Sequence, residues 1–292
     1  MNGEASFSSP VVCCQRMERA IVMKAVRKSR LVVLSALFLL MAGCTQVPLT
    51  GRQQLILVPD SMMNEMSLQA YQEFLAGHTL SSNRRQTEMV ERVGGKISSA
   101  VERYCVEHGL AARVAGYHWE FNLIEDPSVN AWAMPGGKVV VYTGLMSVAG
   151  DEAGLAVVMG HEIAHVFARH GAERMTHGLM VEFGGMALSK AVESKPAGTR
   201  DLFMRSYGMG AQLGLLLPYS RRHESEADRL GMIFMAMAGY HPSQAVAFWE
   251  RMAAAKTGPA PPEILSTHPA DATRIRNIKS LLPEAMQYYQ PQ

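Results

Sequence analysis

The sequence lacks a strong net charge of either sign. Its 292 residues include 28 Lys and Arg against 26 Asp and Glu, a formal net charge of +2. Residues 1–43 hold six of these basic residues and two of the acidic ones, so 22 basic and 24 acidic residues remain, a net charge of −2. A body this close to neutral gives no electrostatic reason to expect nucleic acid as a partner.

The chain also lacks an apolar run long enough for a transmembrane helix, which needs about 20 predominantly apolar residues. Residues 172–193 and 201–217 are rich in Met, Gly and Leu, but Arg205 and Gln212 interrupt the second segment. We therefore predict a pair of apolar helices there and no membrane-spanning segment.

Cysteine is scarce, with four in the whole chain. Cys13 and Cys14 precede Cys44, the residue at which an export signal would be processed. Cys105 would then be the sole free thiol of the mature chain, which excludes an intramolecular disulfide there. No histidine or acid pattern near Cys105 marks a nucleophile, so we predict a buried structural thiol.

The front of the chain has the pattern of an export signal. An apolar run from Leu31 to Met41 ends in small residues directly before Cys44 and is too short to span a bilayer comfortably. Basic residues precede the run: Lys24, Arg27, Lys28 and Arg30. The segment resembles the bacterial lipoprotein signal, in which the cysteine is lipidated and becomes the new N-terminus, although that signal prefers Leu at the position of Met41. A plain secretory signal or a membrane anchor is the alternative.

This resemblance implies an outer-membrane lipoprotein of a Gram-negative bacterium that faces the periplasm, attached to the membrane by a lipid on Cys44. The residue after the cysteine, Thr45, is not Asp, which favours the outer membrane by the same resemblance. The chain then divides into an N-terminal extension with the signal peptide (1–43), a linker (44–59) and a main domain (60–292). Either Met1 or Met23 could be the true start.

The main domain contains the sequence His-Glu-Ile-Ala-His at 161–165, inside an apolar run without proline that predicts a helix from Glu152 to His170. Residues four apart lie on one face of a helix, so His161 and His165 can converge on one ion. A catalytic zinc site uses three protein ligands and a water, and Glu162 is placed to take a proton from that water. The alternative is a core helix with two incidental histidines.

A third ligand is available on a later predicted helix, Ser220 to Gly239. Glu224 and Asp228 are four residues apart and therefore share one face. One carboxylate can complete a two-histidine, one-glutamate site, and the other can accept the N–H of a ligand histidine. Taken alone, the segment would also suit a charged surface helix. We expect Glu226 to be solvated or paired with Arg222.

The metzincin type of zinc protease is excluded by spacing. It requires a third His ten residues after the first and a Gly at seven, and those positions are Gly171 and Ala168. His170 misses the ligand position by one residue and is predicted to be a helix-end histidine. The remaining histidines, including His223, have no comparable pattern and are predicted to be structural or surface residues.

Together, the two motifs resemble those of the gluzincin peptidases that include HtpX and the CAAX prenyl proteases, and most nearly a soluble, LoiP-like lipoprotein branch. The resemblance covers roughly residues 45–282. It implies a mainly helical α+β fold, a zincin-type metalloprotease domain with a small sheet whose edge strand lies over the active-site cleft. It also implies one Zn²⁺ per chain, with three metal ligands: His161, His165 and Glu224.

Two smaller motifs extend the resemblance. The first is similar to the family's strand over the cleft and implies substrate-backbone binding by Asn130, Ala131 and Trp132. The second, Thr-His-Pro at 267–269 followed by Arg274, is similar to a late His-Pro motif. In the family these residues steady the oxyanion, but in some periplasmic members the histidine closes over the zinc as a plug. Whether His268 is catalytic or inhibitory therefore stays open.

The resemblance implies a metalloendopeptidase acting on unfolded or misassembled envelope proteins, in protein quality control. Glu162 would be the general base, Asp228 would orient a ligand histidine, and His268 with Arg274 would stabilise the oxyanion. The expected partners are protein substrates, the membrane through Cys44, and outer-membrane assembly machinery. The alternatives are a zinc-containing chaperone or assembly factor with minor proteolytic activity and, less strongly, a cell-wall hydrolase.

Overall fold

The computed structural model describes residues 43–211, 217–255 and 272–291, with the backbone alone at 210, 211, 217–219 and 255. The predicted signal peptide therefore lies outside the described residues. The five strands are β1 (Cys44–Gln46), β2 (Gln53–Leu55), β3 (Glu120–Ile124), β4 (Ala131–Met134) and β5 (Lys138–Tyr142).

Helices make up most of the described part of the chain. They are α1 (Asp60–Ala76), α2 (Arg84–Glu107), α3 (Thr143–Ala149), α4 (Glu152–Phe167), α5 (His170–Ala191), α6 (Ala197–Ala211), α7 (Leu217–Met237), α8 (Gln244–Ala255) and α9 (Ala272–Ala285). Short 3-10 turns lie at Ala111–Arg113 and Met286–Tyr288. The predicted mainly helical α+β class is confirmed.

Helix α4 carries the histidine motif and lies at the centre of the core. The Asp151 side chain caps it by accepting a hydrogen bond from the Gly154 N–H, 2.8 Å away. Every residue from Gly154 to Phe167 is buried. A helix that is apolar on all sides has to lie inside a protein, because no face of it is suited to water. The two motif histidines are thus held in a buried, closely packed element.

The predicted helix from Glu152 to His170 is wrong at its C-terminal end. Helix α4 ends at Phe167, whose carbonyl accepts a 2.8 Å hydrogen bond from Arg113 Nε. Arg169 then adopts a left-handed conformation (φ 58°) and forms an ion pair with Asp60. Helix α5 begins immediately afterwards, so the chain changes direction just before His170.

The larger sheet has the strand order β3–β5–β4, with β3 parallel and β4 antiparallel to β5. Val139 and Val141 of β5 face the main core, whereas Val140 and Tyr142 face a second cluster beneath Tyr71 of α1. Burial on both faces explains why β5 is a continuous β-branched run. Among the described strands, β4 pairs with β5 alone and forms an edge of this sheet.

Helices α4 and α7 cross with their backbones in direct contact. A Cβ built on Gly160 would lie 2.9 Å from the Gly231 carbonyl oxygen, and one on Gly231 would lie 2.8 Å from the His161 backbone nitrogen. Only two glycines allow so close an approach, because any side chain at either position would separate the helices. The crossing brings the preceding turns of α7 beside the ligand histidines.

The body of the protein, Gln46–Gln292, forms one compact unit. Helices α5 and α6 of this unit pack on each other, and the Tyr207 hydroxyl donates a 2.8 Å hydrogen bond to the Val181 carbonyl. Within the described residues, none of the helices combines the length and apolar character that crossing a bilayer would require.

Replacing Gly160 by Ala is predicted to destabilise the fold by about 1–3 kcal/mol, because the new methyl group overpacks the α4–α7 crossing. Gly95→Ala is the matched control: it lies within α2, and a Cβ there meets no atom within 4 Å. The control should be neutral or stabilising by up to about 1 kcal/mol. Urea unfolding of both variants measures the difference, and equal stabilities would contradict the close contact.

Candidate metal centre

Three side chains from α4 and α7 converge on one point. His161 Nε2 lies 3.1 Å from His165 Nε2 and 3.3 Å from Glu224 Oε2, and His165 Nε2 lies 3.4 Å from Glu224 Oε1. Tetrahedral zinc with bonds near 2.0–2.1 Å would place its ligand atoms about 3.3 Å apart. The three residues therefore fit a zinc ion in both donor type and spacing.

Asp228 contacts Nδ1 of His161, the ring nitrogen that is not in the ligand cluster. Its Oδ1 atom lies 3.0 Å from His161 Nδ1, so the carboxylate can accept the N–H that leaves Nε2 free for the metal. Arg274 of α9 holds Asp228 in place through a bidentate pair, with Nη2–Oδ1 at 2.7 Å and Nε–Oδ2 at 2.9 Å. Two helices, α7 and α9, thus supply the residues that orient His161 of α4.

Arg274 also contacts a second ligand and an aromatic ring. Its Nη1 atom lies 3.7 Å from Glu224 Oε2, and its guanidinium carbon is 3.5 Å from the centre of the Trp249 ring. A guanidinium stacked on an indole keeps its charge in a buried site at lower cost. Arg274 thus contacts both Glu224 and Asp228 of α7. Its implied role at the oxyanion stays a prediction.

The charges around His161 oppose the effect of burial on its pKa. Burial lowers the pKa of His161, but hydrogen bonds to Asp228 and Glu224 outweigh it and raise the pKa to about 9. Burial likewise raises the pKa of Asp228, yet the positive charge of Arg274 and the contact with His161 lower it overall. Asp228 therefore stays ionised as an acceptor, and a metal ion must displace a proton to bind His161.

Glu162 follows His161 on α4, and its side chain is 4% exposed. Successive residues of a helix are rotated by about 100°, so Glu162 flanks the ligand face without lying on it. Its position in the chain agrees with a proton acceptor beside the metal ligands. Its catalytic role stays a prediction.

Cavities in the described part of the chain border the candidate ligand residues. One of about 180 Å³ is bordered by Ala133 and Met134 of β4, Met63 of α1, and His165. Another of about 530 Å³ is bordered by residues of α7 and α9 that include Glu224 and Arg274. The edge strand β4 thus shares a cavity with His165, one of the three candidate metal ligands.

The proposed substrate-binding residues lie at this edge strand. Asn130 Oδ1 accepts a 2.9 Å hydrogen bond from the Ala131 N–H, and its carbonyl accepts one of 3.1 Å from the Tyr142 N–H. The Trp132 ring packs edge-on against Phe74, and its Nε1 donates to the Tyr142 hydroxyl at 3.3 Å. The Trp132 side chain therefore belongs to the cluster under α1, and pairing of substrate with the β4 backbone stays a prediction.

The remaining predictions concern His268 and two cysteines. His268 lies outside the described residues. Cys44 is exposed at the start of β1, and its lipidation stays a prediction. Cys105 is buried, which confirms the prediction of a structural thiol in the core.

A buried polar network that the sequence did not predict extends from His165. His170 Nδ1 lies 2.8 Å from His165 Nδ1, and its Nε2 lies 2.9 Å from Glu226 Oε2. Glu226 was expected in solvent or paired with Arg222, but it is buried and contacts Arg52 and His170, so that expectation is wrong. His170 does lie at a helix end, as the first residue of α5, and it is buried there. A hint was present in the sequence, because three polar residues share one helical face of α5 in an apolar region: His170, Glu173 and His177.

Arg52, in the segment before α1, joins the two carboxylates of this network, Glu173 and Glu226. Arg52 binds both oxygens of Glu173, at 2.8 and 2.7 Å, and reaches Glu226 Oε2 at 2.8 Å. Burial raises the pKa of Glu173, but His223 and Arg52 outweigh it and lower the pKa to about 2. Burial, followed by the charges of His165, His223 and Arg52, lowers the pKa of His170 well below its usual range. The network thus holds an ionised Glu173 and a neutral His170.

The chain is similar in sequence to several known proteases. The mitochondrial metalloendopeptidase OMA1 of Schizosaccharomyces pombe is 35% identical over 247 residues, which cover 82% of this chain and 66% of that protein. The human OMA1 metalloendopeptidase is 27% identical, over 82% of this chain and 46% of its own length. The β-barrel assembly-enhancing protease of Escherichia coli K12 is 32% identical, over 56% of this chain and 34% of its own length. The chain thus spans one third to two thirds of these relatives.

The model of Peptidase family M48 matches residues 91–282, a segment that contains both motif helices and Arg274. Metallopeptidases of this family depend on zinc, which confirms the predicted cofactor and agrees with the ligand spacing of His161, His165 and Glu224. The zincin-type α+β class is confirmed as well. Because the match covers more than half of the sequence, the chain belongs to Peptidase family M48.

Proposed function

We propose that this chain is a zinc-dependent endopeptidase that cleaves internal peptide bonds of unfolded or misassembled proteins. The convergence of His161, His165 and Glu224, with Glu162 directly beside the first ligand, is the observation that carries the proposal. A purely structural zinc site is closed by four protein ligands, whereas a catalytic one leaves a position open. Within the described ranges, three candidate ligands with an adjacent carboxylate match the catalytic type.

The chain's own side chains have separate tasks in the proposed reaction. Bound zinc would supply a Lewis acid that polarises the scissile carbonyl and activates water. Glu162 takes the proton from the attacking water and passes it to the departing amine. Asp228 and Arg274 keep His161 in the tautomer that leaves Nε2 unprotonated.

The substrate is proposed to add as a strand to the free edge of β4. Main-chain hydrogen bonds between strands depend on an extended backbone more than on side-chain identity. Such binding favours unfolded segments, because a folded protein seldom offers an extended strand with free N–H and C=O groups. The cavity beside Met134 and His165 lies next to this edge and is available to a substrate side chain.

The compartment proposed is the bacterial cell envelope, in the manner of the LoiP-like lipoproteins, with Cys44 lipidated at the outer membrane. The similarity to a bacterial β-barrel assembly-enhancing protease supports this proposal. Other relatives are mitochondrial, so the assignment depends on the basic and apolar segment before Cys44. Outer-membrane assembly machinery is a proposed partner on the same grounds.

Glu162→Gln is predicted to lower cleavage of an unfolded protein such as casein by about 10²–10⁴-fold, because the general base is lost. Zinc content should remain that of the wild type, since the ligands are unchanged. Glu182→Gln, at an exposed position on α5, is the matched control and should cleave normally. Zinc without cleavage in the wild type would favour a chaperone or latent enzyme, and a folded wild type that binds no zinc would refute the site.

Asp228→Asn is predicted to weaken zinc binding by about 10–100-fold, because His161 loses the charged acceptor that orients it. Arg274 would also lose its bidentate partner. Competition with a chromogenic chelator measures the change. Asp201→Asn, at an exposed position on α6, serves as the control and should bind zinc as the wild type does. Equal affinities in the two variants would show that Asp228 does not support the metal.

Cys44→Ala is predicted to move the protein from the membrane fraction to the soluble fraction, because the lipid anchor has no other attachment site. Cell fractionation followed by immunoblotting measures the distribution. Cys14→Ala is the matched control, since that residue precedes the expected processing point and its loss should leave the protein membrane-bound. Membrane retention of the Cys44 variant would contradict the lipoprotein assignment.

A further inference from the structure

The two ligand histidines are supported in different ways. His161 binds the carboxylate of Asp228 directly through Nδ1. His165 also has Nε2 in the ligand cluster, but its Nδ1 lies 2.8 Å from a second imidazole nitrogen, His170 Nδ1. The two rings are 4.9 Å apart and nearly perpendicular, at 73°. Two ring nitrogens at this distance form a hydrogen bond only if one carries a proton and the other a lone pair.

The position of each proton follows from the ligand role of His165. A metal-binding nitrogen carries no proton, so neutral His165 has its proton on Nδ1 and donates it to His170 Nδ1. His170 then carries its own proton on Nε2, which lies 2.9 Å from Glu226 Oε2. The sequence of hydrogen bonds is therefore His165 to His170 to Glu226, and it ends on a carboxylate.

Residues distant in sequence hold this arrangement in place. Glu226 accepts hydrogen bonds from Arg52 Nε at 2.8 Å and from the Thr50 hydroxyl. His170 also stacks on the His223 ring, with centres 4.1 Å apart and planes inclined by 15°. His170 and His223 are fully buried, so these contacts are made away from water, where a misplaced polar group is costly.

We infer that His170 is a positioning residue of the metal centre, which sets the tautomer and orientation of His165 and is itself held by Glu226 and Arg52. This inference rests on the proposed zinc site. It makes the turn around Thr50 and Arg52 part of the support of a ligand more than a hundred residues away. It also gives both ligand histidines a carboxylate anchor, one direct and one through a second imidazole.

The test is zinc affinity of the full-length protein, measured by competition with a chromogenic chelator beside urea unfolding of each metal-free variant. His170→Phe keeps a planar ring but removes both nitrogens, and we expect a 10–100-fold loss of zinc affinity. His170→Asn places an amide oxygen near the position of Nδ1 and should restore a large part of that loss. The absorption spectrum of the Co²⁺-loaded protein should change in His170→Phe and return towards the wild type in His170→Asn.

His177→Phe is the matched control, because it makes the same change at another buried histidine of α5. We expect it to alter zinc affinity less than threefold, whatever it does to unfolding. Zinc affinity within twofold of the wild type in a folded His170→Phe would overturn the inference. Equal losses of affinity in the His170 and His177 variants would overturn it too, since they would indicate a general structural effect.

Glu226→Gln covers the case in which His170→Phe does not fold, because it is isosteric and keeps an acceptor oxygen. We then expect zinc affinity to fall three- to tenfold, while the number of ligands seen in the cobalt spectrum stays the same. A zinc affinity equal to that of the wild type would overturn the inference.

The outcomes also separate this inference from the proposed function. A wild type that binds zinc without cleaving casein contradicts the function alone, whereas a folded wild type that binds no zinc contradicts the site on which both rest.

Discussion

The contact between the backbones of α4 and α7 is the constraint on which the metal centre depends. Gly160 and Gly231 meet with no space for a side chain, and the ligand His161 directly follows the first of them. Glu224 and Asp228 lie two turns or less before Gly231 on α7. The ligands of one helix can therefore reach those of the other only because two glycines allow the closest approach of the chains. The packing of these two helices therefore sets the distances between the candidate ligands.

Charged side chains are numerous in the buried region around the candidate ligands, and they form two clusters. Asp228 and Arg274 form one beside His161, and Glu226, Glu173 and Arg52 form the other beyond His165. Buried ions are costly unless their hydrogen bonds are satisfied by well-placed partners. Each carboxylate here has an arginine or histidine within hydrogen-bond distance. The same contacts that make the charges tolerable also restrict the orientation of the ligand rings.

The local part of the site could be predicted from the sequence, because it depends on helical periodicity alone. His161 and His165, and likewise Glu224 and Asp228, are four residues apart, so each pair shares a helix face wherever its helix lies. The resemblance to a known family added the choice of Glu224 as the third ligand. The roles of His170 and Glu226 could not be predicted in this way, since their partners come from other segments.

The sequence by itself determined the two helices that carry the candidate ligands, because they depend on short-range patterns, and the class of fold followed from the resemblance to a known family. The tertiary structure decided how these elements meet. In an uninterrupted helix, His170 would be rotated by about 140° from His165, but the left-handed Arg169 begins a new helix and returns His170 to that ring. Arg52 likewise reaches Glu226 only through packing. Such contacts join residues far apart in the chain, and no local periodicity encodes them.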